Sequence, residues 1–161
     1  MAAIARLMTT LVALCATVAG AEPGFWDQPT EALSAPVEIV VYRSPSCGCC
    51  GKWLDHVRRH GFAVQDIKGD DMDALKRRLG IPEKLKSCHT GIVGGYLIEG
   101  HVPAADIKRL LRTRPDLAGI SVPGMPVGPP GMEMGSRKDP FTVLGFAKDG
   151  RTSVFTDYTS Y

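Results

Sequence analysis

Residues 37–60 read VEIVVYRSPSCGCCGKWLDHVRRH. The stretch opens with a β-branched run, Val37 to Tyr42, which predicts a strand. From Cys49 to His60 apolar residues recur at helical spacing, and Gly61 ends the predicted helix. A strand that leads through a short turn into a helix is the opening of an α/β domain, and three cysteines lie at that turn.

The remaining elements are predicted from the same signals of period, caps and turns. They are a strand at Phe62–Ile67, a helix capped by Asp70 or Asp71 and stopped by Gly80 and Pro82, a hairpin of Thr90–Val93 and Tyr96–Glu99 around Gly94-Gly95, a helix between Pro103 and Pro115, and a last hairpin of Phe141–Ala147 and Arg151–Tyr158. The order predicts a thioredoxin-like α/β fold. Its central mixed sheet is flanked by helices, with a Pro/Gly/Met loop at Ser121–Gly135 and a C-terminal β-hairpin.

The chain divides into three predicted parts. Residues 1–21 have one positive charge, an apolar core and a small-residue cleavage site, which is the pattern of a secretory signal peptide. Residues 22–36 are predicted to be a flexible leader, and residues 37–158 one thioredoxin-like domain. An uncleaved anchor is the alternative for the first part. No later segment approaches the length of a transmembrane helix, so the mature chain is predicted to be exported and free of the membrane.

Composition excludes several function classes. The chain of 161 residues has a formal net charge of +2 and no basic stripe, so nucleic acid is not an expected partner. The basic residues at Arg58-Arg59, Lys76–Arg78 and Lys108-Arg109 are interpreted as solvated helix faces. No Gly-rich phosphate loop or pair of catalytic carboxylates stands out, so a nucleotide cofactor is not indicated.

The cysteines carry the functional signal. After removal of the signal peptide four remain, Cys47, Cys49, Cys50 and Cys88. Unpaired N–H groups and the dipole at a helix N-terminus favour thiolate over thiol. A bridge from Cys47 to Cys50 would close too short a loop to stabilise the fold much. The cluster is therefore predicted to be reactive or metal-binding rather than a structural staple.

The predicted topology brings a distant segment to this cluster. In a thioredoxin-like fold the loop that enters the third strand lies beside the N-terminus of the first helix. Cys88 and His89 are therefore expected close to Cys47 and Cys50. Thioredoxins place a cis-proline in this loop, where this chain has His89-Thr90. The docking surface of an ordinary disulfide reductase is not expected here.

The available donors favour copper. Thiolate, thioether and imidazole suit Cu(I), whereas a zinc site would more naturally show ligand pairs at regular spacing. Cysteines crowded on one turn suit thiolates that bridge metals, so a multinuclear copper site is compatible with the sequence. Met125 and one of Met132 and Met134 are predicted to be ligands or near-ligands; the alternative is that they fill gaps in a rigid loop.

The histidines are assigned different roles. His89 is a candidate ligand or proton acceptor, with a hydrogen-bonding loop residue as the alternative. His56 and His60 are expected to face solvent. His101 is expected to cap or order the start of a helix, and Trp53 to pack in the core over the site.

Several motifs in order carry a resemblance to a known family. They are Cys47-Gly48-Cys49-Cys50, Ser87-Cys88-His89-Thr90, the run from Gly95 to Ala104, Val122-Pro123-Gly124-Met125-Pro126 and Gly131-Met132-Glu133. Across Val37 to Tyr158 the chain resembles the exported copper-resistance proteins of the CopG type. The resemblance implies a thioredoxin-like fold, a bacterial periplasmic location and a cysteine-bridged copper cluster, with Cys47, Cys49, Cys50 and Cys88 as ligands. Met125, Met132 and His89 match motif residues of unassigned role.

The leading hypothesis is a periplasmic copper-binding protein for copper resistance. Interconversion of Cu(I) and Cu(II) is a candidate activity, and whether the protein is an enzyme stays open. Copper ions and periplasmic copper-handling proteins are the expected partners. The alternative is a thiol–disulfide oxidoreductase in which Cys47 attacks and Cys50 resolves. A passive, disulfide-stapled binding module is the third reading.

Overall fold

The computed structural model describes residues 24–161. The predicted signal peptide, 1–21, and the first two residues of the predicted leader lie outside this range. Within it, no helix combines the length and the apolar character that crossing a membrane requires.

One mixed sheet of seven strands forms the centre of the fold, in the order β2-β1-β3-β4-β5-β6-β7. The β1–β2 and β4–β5 pairs are parallel and the others are antiparallel. The strands are β1 Val37–Arg43, β2 Phe62–Lys68, β3 His89–Val93, β4 Tyr96–Glu99, β5 Gly119–Ser121, β6 Phe141–Phe146 and β7 Thr152–Tyr158. The predicted α/β class with a central mixed sheet and flanking helices is confirmed.

Three α-helices accompany the sheet: α1 Gly48–Arg59, α2 Met72–Arg78 and α3 Ala104–Thr113. Asp71 caps α2, since its Oδ1 accepts a 2.8 Å hydrogen bond from the backbone N–H of Ala74. The predicted order of strand, helix, strand, helix, hairpin and helix is confirmed, with bounds shifted by one or two residues.

The short strand β5 was not predicted. Its three residues are too few to show a period, and the sequence before the Pro/Gly/Met loop carries no strand signal. β5 runs parallel to β4 and antiparallel to β6, so it joins the C-terminal hairpin to the sheet. Gly119 fits there because a Cβ at this position would overlap the carbonyl of Leu97.

The core lies between the sheet and the helices α1 and α3. It is built from the apolar faces that the helical and strand periods predicted. Its fully buried members include Ile39, Val41, Trp53, Val57, Ile98, Ile107, Leu110, Ile120 and Val143. Packing α1 onto this core fixes the position of its first turn, which carries the cysteines.

The N-terminal segment lies over the C-terminal half of α1. His60 donates from Nε2 to the carbonyl of Trp26 at 2.8 Å, and its Nδ1 lies 3.0 Å from the Thr30 hydroxyl. Lys108 donates to the same hydroxyl at 2.8 Å. The expectation that His56 and His60 face solvent is wrong, because they are 2% and 9% exposed. Lys108 is likewise 7% exposed rather than on a solvated face.

An aromatic cluster attaches both ends of the described chain to the Pro/Gly/Met loop. The Trp26 ring contacts Phe141, Tyr158 and Tyr161 at centroid distances of 5.2 to 6.1 Å. Its indole N–H donates to the carbonyl of Gly128 at 2.7 Å. The loop is therefore held from its outer side as well as from the core.

Candidate metal centre

The first turn of α1 presents three sulfurs. Cys47 precedes the helix in an extended conformation, and Cys49 and Cys50 lie in its first turn. Cys47 and Cys50 are joined in a disulfide, whereas Cys49 and Cys88 are free, partly exposed thiols. The sulfur of Cys49 lies 3.6 Å from that of Cys47.

The sheet brings Cys88 to this turn. Strands β1 and β3 are antiparallel, with His89 opposite Arg43 at the end of β1 from which the chain enters the cysteine turn. The sulfurs of Cys47, Cys49, Cys50 and Cys88 consequently lie within 4.8 Å of one another. The predicted approach of Cys88 to the cluster is confirmed. One pocket thus collects four sulfurs from segments forty residues apart in the chain.

Two buried histidines contact Cys88. Its sulfur lies 3.2 Å from Nδ1 of His89 and 3.2 Å from Nε2 of His101. These three donors form a second group within 4.8 Å, and it shares Cys88 with the first. The sequence interpretation gave His101 only a capping or ordering role and missed its place beside the thiol.

The hydrogen bonds assign the tautomer of His101. Its Nδ1 lies 2.7 Å from the carbonyl of Pro130, which can only accept, so Nδ1 carries the proton. Nε2 therefore has a free lone pair and accepts the S–H of Cys88. His89 then donates from Nδ1 to the same sulfur, which leaves its buried Nε2 without a partner.

Burial sets the protonation states of the metal-free pocket. It lowers the pKa of His101 and holds that of His89 well below its ordinary value. Burial, together with the neighbouring Cys49, raises the pKa of Cys88 to about 12. Both imidazoles are consequently neutral, and a soft metal ion would displace the thiol proton of Cys88 on binding.

A buried ion pair supports the loop that carries Cys88. Glu99 is fully buried and accepts hydrogen bonds from the ammonium of Lys76, from the backbone N–H of Ser87 and from the hydroxyl of Thr90, the last two at 2.6 Å. Lys76 also donates to the carbonyl of Ser87 at 2.5 Å. The assignment of Lys76 to a solvated helix face is wrong, since its side chain is 3% exposed.

Trp53 connects the cysteine helix to both histidines. Its indole N–H donates to the carbonyl of Val102 at 2.8 Å, directly after His101. Its ring lies 4.3 Å from that of His89. The expectation that Trp53 packs in the core over the site is confirmed, and it also fixes the two imidazoles relative to α1.

The Pro/Gly/Met loop lies against the cysteine turn at one point and against the loop that carries Cys88 at another. Gly131 (φ +81°) approaches α1 so closely that a Cβ would sit 2.7 Å from the backbone nitrogen of Trp53 and 3.2 Å from the carbonyl of Cys49. The next residue, Met132, is half-buried. At the second point, the Gly124 N–H donates to the Lys86 carbonyl at 3.0 Å.

The methionines differ in exposure. Met125 is 52% exposed and follows Gly124, whose carbonyl accepts a 2.5 Å hydrogen bond from the hydroxyl of Ser87 beside Cys88. Met134 is 65% exposed and lies in a small turn beyond the contact of Gly131 with α1. The backbones before Met125 and Met132 therefore border the cysteine pocket, and Met134 lies farther along the loop.

The arrangement can bind a soft cation. Four sulfurs lie together in one partly exposed pocket, where reduction of the Cys47–Cys50 disulfide would make all of them available, and Nε2 of His101 contacts one of them, on Cys88. Thiolate and imidazole ligands suit Cu(I), and hard cations such as Mg²⁺ and Ca²⁺ prefer oxygen ligands.

Comparison with known proteins identifies the family. A family profile described as "Protein of unknown function, DUF411" matches residues 85–132. The solved structure named "Copper resistance protein copG- Form 1" is 51% identical, with a TM-score of 0.74; the match covers 78% of this chain and 99% of that one. "Copper resistance protein copG- Form 2" gives the same identity and TM-score, with 76% and 98% coverage. A search of curated proteins gave no match. The chain therefore belongs to the CopG family of copper resistance proteins.

Proposed function

We propose that this protein binds copper in the periplasm and protects the cell against copper stress. The convergence of four cysteine sulfurs within 4.8 Å carries the proposal, since only the folded chain brings Cys88 to the other three. The copper-resistance role of the solved relatives and the signal-peptide pattern of residues 1–21 support it. We propose periplasmic copper-handling proteins as its partners.

We propose that the reduced pocket holds more than one copper ion. Three of the four cysteines share one turn of the chain, and thiolate sulfur readily bridges soft metal ions, so a thiolate-bridged cluster suits this donor set. Cys88 belongs to both donor groups, so it is the natural bridge between them. His89, Met125 and Met132 remain candidate additional ligands at the border of the pocket.

We also propose that the Cys47–Cys50 pair is redox-active. When these two thiolates form a disulfide they lose one electron each, and two Cu(II) ions that accept these electrons become two Cu(I) ions. A dithiol reductant would restore the thiols. In this cycle the protein would reduce Cu(II) to Cu(I) as well as bind the ion.

The test is an anaerobic Cu(I) titration of the reduced protein in competition with a chromophoric Cu(I) chelator. We expect several Cu(I) ions per chain, and fewer in Cys88→Ser. Ser46→Ala, at an exposed position beside the turn, is the control and should leave the number unchanged. The same number of copper ions in wild type and Cys88→Ser would contradict the shared pocket.

A thiol–disulfide oxidoreductase is the second candidate, favoured by the Cys47–Cys50 disulfide at a helix N-terminus. It predicts that metal-free protein catalyses the reduction of insulin disulfides and that Cys47→Ser does not. Absence of this activity in metal-free wild type, together with copper binding, would leave copper handling as the function.

A further inference from the structure

The Cys47–Cys50 disulfide divides the four sulfurs of the pocket into two that are bonded to each other and two that remain free to bind a metal ion. The two bonded sulfurs no longer offer thiolates, and one of them, on Cys50, is completely buried. Cys49 and Cys88 keep their thiols, and their sulfurs lie within 4.8 Å of each other. Oxidation of the pair therefore removes half of the sulfur ligands and leaves the other half in place.

We propose that the disulfide form retains a smaller Cu(I) site, made by the thiolates of Cys49 and Cys88. His101 belongs to a donor group with Cys88 and not with Cys49, so it joins as a third ligand by a shift towards the ion when Cu(I) binds. This inference rests on the proposed copper function and extends it to the oxidised protein. Two thiolates and one imidazole are a ligand set that suits Cu(I), an ion that accepts low coordination numbers. Binding releases two thiol protons and changes no oxidation state.

His101 is the histidine whose lone pair is available to the ion. Its Nδ1 is bound to the Pro130 carbonyl, so its Nε2 faces the Cys88 sulfur at 3.2 Å without a proton of its own. A ligand histidine whose other nitrogen donates to a carbonyl is the usual arrangement at metal sites. In the same network Nδ1 of His89 carries a proton towards Cys88, which makes His89 a hydrogen-bond donor to that sulfur.

The surroundings favour this site in the disulfide form. Cys49 and Cys88 are partly exposed, so an ion can reach both sulfurs from solvent. Two thiolates and one Cu(I) leave one negative charge in a partly buried pocket. The two cations beside the pocket are already paired with carboxylates, Lys76 with Glu99 and Arg43 with Asp66, so the exposure of the pocket to solvent must offset that charge.

The consequence is that oxidation changes copper capacity without emptying the pocket. A protein that lost all its copper when Cys47 and Cys50 were oxidised would release Cu(I) into an oxidising compartment. Retention of one ion by Cys49, Cys88 and His101 would limit that release. The disulfide then acts as a switch between a larger and a smaller copper load.

The experiment compares two redox forms of the full mature protein. Protein oxidised to two free thiols per chain, with the Cys47–Cys50 disulfide verified by peptide mapping, is titrated anaerobically with the acetonitrile complex of Cu(I) against a chromophoric chelator. We expect one Cu(I) per chain in this form and several in the reduced form. The double variant Cys47→Ser/Cys50→Ser, kept reduced, cannot form this disulfide and should also bind one Cu(I).

The ligand set is tested in the oxidised form by X-ray absorption at the copper edge. His101→Gln should lose the nitrogen scatterer and weaken Cu(I) binding by about tenfold or more. His60→Gln, on the opposite end of α1, is the matched control and should change neither. Circular dichroism establishes that each variant keeps the fold.

The outcomes separate this inference from the proposed function. If the reduced form binds several Cu(I) ions while the oxidised form and the double serine variant bind none, the retained site does not exist and the copper function stands. An unchanged spectrum and affinity in His101→Gln would overturn the assignment of that ligand. Absence of Cu(I) binding in the reduced form would overturn the proposed function itself.

Discussion

Two pairs of buried histidines lie at opposite ends of helix α1. His89 and His101 flank its cysteine end, with ring centroids 5.0 Å apart, and His56 and His60 lie towards its other end, 4.6 Å apart. Burial lowers the pKa of His101, His89 and His56, the last to about 3. Buried histidines with a lowered pKa therefore occur at both ends of α1, so these two properties alone do not show which histidine would bind a metal ion.

The hydrogen bonds distinguish the two pairs. Nε2 of His56 accepts a 3.0 Å hydrogen bond from the backbone N–H of Ala104, at the start of α3. Both ring nitrogens of His60 form hydrogen bonds with the N-terminal segment, one with Thr30 and one with Trp26. His101 uses one nitrogen on a carbonyl and directs the other at a thiol. Among the described residues, His56 and His60 belong to no group of three metal donors. A free lone pair beside a second soft donor is what marks a ligand.

The largest loss of stability is expected from breaking the Lys76–Glu99 ion pair, which holds the loop that carries Cys88. Lys76→Met would leave the buried carboxylate of Glu99 without its cation, which costs about 3–5 kcal/mol in the free energy of unfolding. Urea unfolding of the metal-free protein measures it. Lys84→Met, at an exposed position on the adjacent loop, is the control and should stay within about 0.5 kcal/mol. Equal effects of the two substitutions would contradict the supporting role of the pair.

The next largest loss of stability is expected at Gly131, where the Pro/Gly/Met loop contacts α1. Gly131→Ala would place a methyl group against the backbone of Trp53, whereas Gly135→Ala meets nothing within 4 Å although its φ is also positive, at +61°. We expect Gly131→Ala to be less stable than Gly135→Ala by about 1–3 kcal/mol. It should also weaken Cu(I) binding, because the loop must move off the cysteine turn. Indistinguishable stabilities would show that the approach is not tight.

Acid should destabilise the protein in part through His56, at the end of α1 away from the cysteines. The folded pKa of His56 is about 3 against an ordinary value of 6.5, so the unfolded chain binds more protons between these pH values. The free energy of unfolding contributed by this group is fully present above pH 6.5. It falls as pH drops towards 3, by at most about 1.4 kcal/mol per pH unit.

His56→Gln isolates this contribution. Its amide does not titrate, so urea midpoints measured on the metal-free protein across that pH range should fall less steeply than in wild type. Cu(I) binding at neutral pH should be unchanged, because His56 is committed to α3. A pH slope identical to that of wild type would contradict the assignment of acid sensitivity to His56.

The smallest effect concerns the outermost methionine. Met134 is 65% exposed and lies beyond the contact of Gly131 with α1, so Met134→Leu should leave Cu(I) number and affinity unchanged. Met132→Leu, at the half-buried position next to Gly131, is the matched comparison and is expected to weaken binding. Chelator competition measures both. A loss of affinity in Met134→Leu alone would reverse the assignment.

Most of the fold was predictable because its signals are local. The β-branched runs, the Asp71 cap and the Gly94-Gly95 turn each act over a few residues, and they gave the order of elements. The predicted approach of Cys88 required only that order. Strand β5 was not predicted because three residues are too few to show an alternating hydrophobic pattern, and because its position depends on pairing with β4 and β6.

The sequence predicted that the four cysteines come together, but it predicted only one of the two histidines that contact Cys88. The β3–β4 hairpin pairs Val93 with Tyr96 and Thr90 with Glu99, and the same register continued past the strand ends sets Cys88 opposite His101. That signal was present in the sequence and was not used. The burial of His60 could not be predicted in this way, because it depends on contacts from a leader without periodic pattern, and His56 is buried against the start of α3.

The most direct test is an anomalous diffraction map at the copper edge, from crystals of reduced protein loaded with Cu(I) without oxygen. The account predicts more than one copper peak enclosed by the sulfurs of Cys47, Cys49, Cys50 and Cys88, and none between His56 and His60. Copper bound away from Cys88, or at the far histidine pair, would contradict it.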